Sequence, residues 1–209
     1  MGLISWIKSK YYDHKLNIAD NQLAKGNIEK AEDIFRTLLG KQHDAVIHLA
    51  KLYVTNSNSK ELKIKRLRQI EDLKEFVDVL HSSDYQKELN SHVFNIYQLA
   101  QQVFNSKDYS GAVSLIDSIR KYRSEQSEYQ DRDHRYKAYL FFSNSQTQSN
   151  YSSELANCTR ELGLIKNSKE SDIRNIQQQL LSQKRFVRTI NLLLPFKSIN
   201  SDFKNSLID

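Results

Sequence analysis

The fold of this chain is decided by residues 18–35, which read IADNQLAKGNIEKAEDIF from Ile18 to Phe35. Gly26 divides the stretch into two amphipathic runs, because glycine can adopt the positive φ that ends a helix. Ala19 and Ala31 place small side chains on either side of the turn, and antiparallel helices approach closely where side chains are small. The stretch therefore predicts a helix, a tight turn and a second helix packed closely on the first.

These residues resemble a tetratricopeptide repeat. Ala19, Gly26, Ala31 and Phe35 fall at the small, turn, small and large positions of that family. The resemblance implies a right-handed stack of antiparallel helix pairs, an α-solenoid, with a docking surface and no chemistry. One pair cannot bury both of its faces, so further pairs are expected.

Further helix pairs are indicated downstream. Leu49-Ala50 repeats Ile18-Ala19, and Leu99-Ala100 begins a third unit. The second helix of that unit carries Asp108-Tyr109 and Ala112, which correspond to Asn27-Ile28 and Ala31. Weaker copies begin at Asn150-Tyr151 and Arg185-Phe186. Small residues at Ala31 and Ala112 predict close helix crossings at both positions.

The spacing between these pairs is irregular because long helices interrupt it. Apolar residues recur at helical spacing over residues 59–80, which predicts one helix of about six turns. A second long helix is predicted to begin at a capping box of Ser83 with Gln86 and to run through Phe104. Residues 143–153, rich in Ser, Asn and Gln, predict the main loop.

Composition favours an all-α fold of about ten helices. The chain has one Pro and five Gly in 209 residues, so strand turns and helix breaks are few. No run of alternating β-branched residues competes with the helical pattern. No Pro/Gly-rich linker interrupts the chain, which predicts a single helical-repeat domain over residues 1–209.

Catalytic patterns are missing from the sequence, which predicts that the chain is not an enzyme. The five glycines are too far apart for a phosphate-cradling loop, and the six histidines show no metal-ligand spacing. No cofactor or metal is therefore expected. Cys158 is the only cysteine, so no internal disulfide can form, and a buried thiol in a reducing cytoplasm is the expectation.

One cluster, residues 130–135, brings Asp131, Asp133, His134 and Arg135 together in sequence. On a helix Asp131 and Arg135 are i,i+4 partners, which predicts a solvated face with a surface ion pair. Nearby, Tyr129 and Tyr136 fall on one helical face. Rings at this spacing favour core packing over the alternative, a platform for stacking nucleic-acid bases.

A net charge of +6 and an isoelectric point near 9.2 raise the question of a nucleic-acid partner. The basic residues between Lys60 and Arg68 spread around a helix instead of forming a stripe. Lys184, Arg185 and Arg188 lie together on one side of the C-terminal segment. A solvated amphipathic face is favoured for them, so no specific nucleic-acid binding is expected, and a nucleic-acid-binding helical repeat stays the alternative.

The N-terminus carries Leu3, Ile4, Trp6 and Ile7, but Lys8 interrupts it too early for a membrane span. Because the end units of a helical stack need covering, this apolar start is predicted to cap the first repeat. Contact with a lipid surface is the alternative.

The tetratricopeptide resemblance also implies where a partner would bind, because the first helix of each pair lines the concave groove of that family. Counting from Ala19, Ala50 and Ala100 places four residues on the predicted partner-binding surface: Asp20, Lys51, Tyr97 and Gln101. Tyr97 is the preferred anchor, as a partly exposed ring, and core packing of this ring is the alternative.

The function expected from these observations is a non-catalytic scaffold or adaptor module that binds a peptide or helix in a concave groove. The positions at which chaperone-tail adaptors of this family use Lys and Asn hold Leu16 and Ile47 here, so a carboxylate clamp is not expected. A regulatory segment of a larger protein or complex is a further alternative. The sequence does not identify the partner or the oligomeric state.

Overall fold

The computed structural model describes residues 3–147 and 151–183, together with residues 185, 188, 191, 192, 195 and 196; side chains are described from Trp6 onward. Residues 3–147 and 151–183 contain ten α-helices, one 3₁₀ turn and no strand, which confirms the all-α prediction. The order is α1 (Leu3–Ala24), α2 (Ile28–Leu38), α3 (Asp44–Thr55), α4 (Lys60–Asp72), the 3₁₀ turn Leu73–Phe76, α5 (Ser82–Asn105), α6 (Tyr109–Ser118), α7 (Arg120–Arg123), α8 (Ser127–Thr147), α9 (Tyr151–Leu164) and α10 (Lys169–Ser182).

Backbone contacts divide the chain into two compact units, Met1–Gln98 and Leu99–Asp209. Each has buried apolar residues of its own, such as Phe35 and Leu49 in the first unit and Leu115 and Leu162 in the second. The division falls within α5. That residues 1–209 act as one helical-repeat domain stays a prediction.

The first predicted helix pair is formed by α1 and α2, which pack on each other. Gly26 has a φ of 77°, as the turn requires, and its N–H donates to the Leu23 carbonyl at 2.9 Å. Ala19, Ala31 and Phe35 are fully buried. The small side chains predicted at the crossing therefore lie in the core of this unit.

The turn between α5 and α6 repeats this geometry. Lys107 has a φ of 68°, and its N–H donates to the Phe104 carbonyl at 2.9 Å. Asp108 then caps α6 by accepting a hydrogen bond from the Gly111 N–H at 2.8 Å. Ala112, one residue further on, is fully buried. The predicted correspondence between this turn and the one at Gly26 thus extends to the backbone.

The prediction of one helix over residues 59–80 is wrong. Helix α4 ends at Asp72, a 3₁₀ turn follows, and Val77 is extended with φ −83° and ψ 121°. Val79 and Leu80 are 92% and 85% exposed, so their apolar side chains bury no helical face. A local apolar repeat indicates a helix only if a neighbouring surface covers it, and none covers these two residues.

Side-chain hydrogen bonds and ion pairs, and not helical backbone hydrogen bonds, hold the segment that follows the 3₁₀ turn. The Asp78 carboxylate accepts a hydrogen bond from the His81 N–H at 2.9 Å and pairs with the His81 ring at 2.7 Å. The other nitrogen of that ring lies 3.0 Å from Asp44. His43 stacks on His81, with ring centroids 5.9 Å apart, and lies 3.2 Å from Asp78. These four residues join the segment to the start of α3.

Two further boundaries differ from the predictions. Helix α8 continues to Thr147, so residues 143–147 are helical and not part of a loop. The buried Ser145 hydroxyl donates to the Phe142 carbonyl of its own helix at 2.7 Å, which removes the cost of burying it. Helix α5 begins at Ser82, so Ser83 lies inside the helix and is not its cap.

A part-buried polar cluster joins α2, α3 and α4. Glu32 accepts hydrogen bonds from the Tyr53 hydroxyl at 3.0 Å and from Arg36 at 3.1 Å, and lies 3.0 Å from Arg66. The Arg66 guanidinium also lies 4.4 Å from the centroid of the Tyr53 ring. Burial opposes the ionisation of Glu32, but these partners hold its pKa below the usual value. The cluster fixes the packing of three helices in the first unit.

Aromatic packing dominates the second unit. Tyr129 and Tyr136 are buried, as predicted, and the Tyr129 hydroxyl donates to the Ile116 carbonyl at 2.8 Å. Phe104 stacks on Tyr136 with centroids 4.5 Å apart. Cys158 is also buried, and burial raises the pKa of its thiol. These rings and the thiol therefore serve the core.

Two of the apolar residues at the start of α1 do not cap the first helix pair. Trp6 and Ile7 are 57% and 52% exposed, which makes the capping prediction wrong for both; the side chains of Leu3 and Ile4 lie outside the described part. None of the described helices combines the length and the apolar character needed to cross a membrane.

Candidate functional site

The turn between α9 and α10 is fixed by one carboxylate of α8. Asp131 accepts hydrogen bonds from the backbone N–H groups of Lys166 and Asn167, at 2.8 and 2.9 Å, and from the Asn167 amide at 2.7 Å. Burial opposes the ionisation of Asp131, but these donors hold its pKa below the usual value. A charged acceptor bonded by three donors is a strong anchor for a turn.

The prediction that residues 130–135 form a solvated face is wrong. Asp131 and Asp133 are buried, and Arg135 donates to Asp172 of α10 at 2.8 Å. His134 lies 2.9 Å from Glu161 of α9. The partners lie on other helices, at 27 to 37 residues' separation, so the local i,i+4 pattern could not reveal them.

A groove of about 1310 Å³ opens beside α9. One wall is a single face of that helix, because its residues recur at the three- and four-residue spacing of a helical stripe. They are Ser152, Leu155, Ala156, Thr159, Arg160 and Gly163. Residues 166–170 contribute Lys166, Ser168, Lys169 and Glu170 to the lining, and the other lining residues in the described part of the chain are Asn191, Pro195 and Phe196. The Asp131 anchor therefore positions one wall of the groove.

Several side chains along the α9 wall are small, so they project little into the groove. Ser152, Ala156 and Gly163 lie in line along it, and a Cβ added to Gly163 would meet no heavy atom within 4 Å. The apolar side chains of Leu155 and Phe196 belong to the buried core of this unit. The groove thus has an apolar floor and open space above it.

The rim of the groove is cationic. Its lining contains Arg160, Lys166 and Lys169 against the single carboxylate of Glu170. Lys169 donates to the Gly163 carbonyl at 3.2 Å and Lys166 donates to Gln130 at 3.4 Å, so both ammonium groups contact neutral acceptors. Arg160 lies 3.4 Å from Glu161, with a side chain 64% exposed. An acidic ligand would find this rim complementary in charge.

Two basic residues of the C-terminal segment, Arg185 and Arg188, make hydrogen bonds within the chain. Arg185 donates to the Gln146 side chain at 2.8 Å, and Arg188 donates to the Ser145 carbonyl at 3.0 Å. Arg188 also lies 4.0 Å from the centroid of the Tyr151 ring. Lys184 lies outside the described residues, as do the apolar residues predicted for the other side of this segment, Phe186, Val187, Ile190, Leu193 and Leu194. Two of the three predicted cations therefore anchor the C-terminal segment to α8 and α9.

The four residues of the predicted partner surface have different environments. Tyr97 is only 8% exposed, so the expectation of a partly exposed anchor ring is wrong. Asp20 lies 2.8 Å from the His48 ring, and Lys51 is exposed on α3. Gln101 belongs to the other unit, where it accepts a hydrogen bond from the Tyr136 hydroxyl at 3.2 Å. That the four together bind a partner stays a prediction.

Sequence reasoning missed the groove beside α9, although part of its signal is local. Ser152, Ala156 and Gly163 share one helical face, and Lys166 and Lys169 follow within two turns. What the sequence could not show is the return of Phe196 to this wall.

Across the described side chains, no three His, Cys, Asp or Glu residues converge in a way that would hold a metal ion. Comparison with family models, with curated proteins and with solved structures found no match.

Proposed function

We propose that this chain is a non-catalytic protein-interaction module of the cytoplasm that binds an acidic, amphipathic peptide segment in the groove beside α9. The observation that carries the proposal is the combination of an apolar floor at Leu155 and Phe196 with a rim of three cations. A helical peptide would place its apolar side chains on this floor and its carboxylates against the rim.

The size of the groove supports a peptide over a small molecule. Its volume of about 1310 Å³ exceeds the range of about 300 to 1,000 Å³ that is typical of small-molecule pockets. The α9 wall from Ser152 to Gly163 spans three turns, so it offers contacts at the spacing of a partner helix.

We further propose that the helix pairs stack in the right-handed manner of tetratricopeptide repeats. The shared turn geometry at Gly26 and Lys107 and the buried alanines that follow each turn support this arrangement. The groove beside α9 becomes the preferred site over the Asp20, Lys51, Tyr97 and Gln101 surface, because an 8% exposed Tyr97 offers little contact area.

A displayed library of random peptides, selected against the whole chain, tests the function. We expect the enriched peptides to carry Asp or Glu together with Leu or Phe at three- and four-residue spacing. The best of them, labelled with fluorescein, is then titrated with the protein. Ala156→Trp should weaken its binding at least about tenfold, because an indole at this exposed position would fill the groove.

Gln178→Trp is the matched control, since it adds the same side chain to the exposed surface of α10 outside the groove lining. It should bind as the unchanged protein does. Charge reversal of Lys166 and Lys169 should weaken binding in the same direction as Ala156→Trp. Enriched peptides without acidic residues, or unchanged binding by Ala156→Trp, would contradict the proposal.

The nucleic-acid alternative is disfavoured by the contacts of Arg185 and Arg188, which hold both side chains against α8. The nucleic-acid alternative predicts submicromolar binding to RNA or DNA near physiological salt. This binding should be lost on charge reversal of Lys184, Arg185 and Arg188. A regulatory segment of a larger polypeptide would use the same groove, with the peptide supplied by that polypeptide.

A further inference from the structure

Helix α1 carries apolar side chains on two separate faces. The inner face contains Ala19, which is fully buried, and the half-buried Leu16 and Leu23. At 100° per residue, Ile7, Tyr11 and Ile18 lie within about 40° of one another, and the middle of this group lies roughly 130° from the middle of the inner face. Helix α1 packs on α2. Within the part of the chain that the structure describes, the side chains of the second face are exposed.

The outer face consists of Ile7, Tyr11 and Ile18; Trp6 lies about 100° from Ile7 around the same end of the helix. All four side chains are exposed, with Trp6, Ile7 and Tyr11 each above half of their full accessibility. Large apolar residues exposed singly are ordinary, but a contiguous stripe along one helix marks an interaction surface. Trp and Tyr are the residues enriched at the boundary between lipid and water.

The charges of α1 are separated between the two sides. The outer half of the helix carries three lysines, Lys8, Lys10 and Lys15. The Lys15 ammonium lies 4.9 Å from the centroid of the Tyr11 ring. The two carboxylates of α1 are used for intramolecular contacts. Asp13 accepts a hydrogen bond from Gln42 at 2.7 Å, and Asp20 lies 2.8 Å from His48. The outer face is thus apolar and cationic, with no carboxylate of α1 beside it.

We propose that the outer face of α1 binds the surface of an anionic lipid bilayer, with the helix lying parallel to the membrane. Ile7, Tyr11 and Ile18 would enter the boundary between headgroups and acyl chains, while the lysines extend to the anionic headgroups. Charge decides between this occupant and a second copy of the chain. Two copies of the face would bring Lys8, Lys10 and Lys15 together without a carboxylate of α1 to pair them, whereas anionic lipid complements them.

Trp6 provides a direct test, because it is the only tryptophan of the chain. The whole protein is mixed with vesicles of phosphatidylcholine that contain phosphatidylserine, and with vesicles of phosphatidylcholine alone. We expect the tryptophan emission to shift to the blue, and the protein to sediment with the vesicles, when phosphatidylserine is present. Added salt should reduce both effects.

Two pairs of variants separate the apolar and the ionic contributions. Ile7→Asn combined with Ile18→Asn should weaken vesicle binding at least about tenfold. Phe94→Asn, which removes an exposed ring from α5, should leave it unchanged. Lys8→Glu combined with Lys10→Glu should weaken binding at least about tenfold, and Lys25→Glu, at the exposed position directly after α1, should have a smaller effect.

Circular dichroism establishes that each variant is folded, which is expected because every changed side chain is exposed. Equal binding to both kinds of vesicle would overturn the role assigned to charge. The absence of a spectral shift, or equal loss of binding with Phe94→Asn, would overturn the site. A dimer in solution that dissociates on Ile7→Asn would assign the face to a second copy.

Discussion

At the scale of single residues, the turns after α1 and α5 share a left-handed backbone and differ in one side chain. Gly26, with a φ of 77°, has no Cβ to strain, whereas Lys107 adopts a φ of 68° with its full side chain. For an L-residue the left-handed region costs about 1 to 2 kcal/mol, because Cβ approaches the following carbonyl oxygen. The backbone of the turn after α5 is therefore strained at Lys107, whereas the turn after α1 avoids this strain at Gly26.

Substitutions at these positions should have opposite effects. Lys107→Gly should raise the free energy of unfolding by up to about 1 kcal/mol, the relief of strain being partly offset by the greater freedom of glycine in the unfolded chain. Gly26→Ala should lower it by about 1 kcal/mol. Urea denaturation followed by circular dichroism measures both changes.

Gly163→Ala is the control for Gly26→Ala. Open space surrounds both positions, but Gly163 has no positive φ and lies in the last turn of α9. Alanine should therefore stabilise the chain at Gly163 by roughly 0.5 kcal/mol, through its higher helix propensity. If both alanines stabilise, the strain assigned to the left-handed position is absent.

At the scale of helices, contacts between sequence-distant charged residues join α8 to its neighbours. Asp131 bonds to the turn between α9 and α10, and Arg135 bonds to Asp172 of α10. Burial raises the pKa of Asp172, and the bond from Arg135 offsets part of this effect. A buried carboxylate of this kind stabilises the fold only while its donors are in place.

Asp131→Asn tests the anchor. It removes the charge and replaces one acceptor oxygen by a donor, which leaves a backbone N–H of the turn without its partner. The free energy of unfolding should fall by about 1 to 3 kcal/mol. Glu125→Gln, the same kind of change at an exposed position before α8, should cost less than about 0.5 kcal/mol. A loss no greater than that of the control would mean that the turn holds without Asp131.

Buried alanines test the packing of the helix pairs. Ala31→Leu and Ala112→Leu should each lower the free energy of unfolding by about 1 to 3 kcal/mol, because both Cβ atoms are fully buried and a larger side chain overpacks the site. Ala24→Leu, at the exposed end of α1, should be nearly neutral. Thermal melts that show no loss for either buried variant would mean that these alanines do not lie at close crossings.

At the scale of the whole molecule, two histidines of the first unit couple stability to pH with opposite signs. His92 is fully buried, and burial lowers the pKa of its ring, with the nearby Lys63 charge acting in the same direction and the hydrogen bond to the Lys63 carbonyl at 2.8 Å opposing. His81 behaves in the opposite way, since its hydrogen bond with Asp78 raises the pKa of its ring. Each shift makes the folded and unfolded chains bind different numbers of protons.

The folded chain binds a proton at His92 less readily than the unfolded chain does. The stability associated with a neutral His92 is therefore complete above about pH 6.5, the ordinary pKa of histidine, and falls as the pH decreases. His92→Gln keeps a donor for the Lys63 carbonyl and removes the titration. Its melting temperature should decline less between about pH 6.5 and 5 than that of the unchanged protein.

His81→Gln should act in the other direction. The contribution of a charged His81 is present below about pH 6.5 and is lost as the pH rises through the higher pKa of the folded state. Relative to the unchanged protein, the variant should therefore lose more stability near pH 5 than near pH 8. His14→Gln, at an exposed position of α1, is the control for both variants. Parallel pH profiles for all three would refute the assignment.

The sequence by itself determined the helical class and the most local features of the chain. Positive φ at Gly26, the start of α6 after Asp108, and the burial of Ala31 and Ala112 all depend on residues within one or two turns. Such features follow from backbone sterics, helix capping and the helical period, which act within a short stretch. The same reasoning predicted the buried rings of Tyr129 and Tyr136.

Only the tertiary structure decided which surfaces meet. The local pattern predicts Asp131 and Arg135 as a pair, yet Asp131 bonds to the turn between α9 and α10, and Arg135 bonds to α10. Leu80 follows the helical period of Leu73 and Val77, but its side chain is 85% exposed and the helix ends at Asp72. The groove beside α9 depends on Phe196 returning to that helix. Burial and pairing between distant segments depend on where the whole chain places them, and a local repeat of residue types does not contain that information.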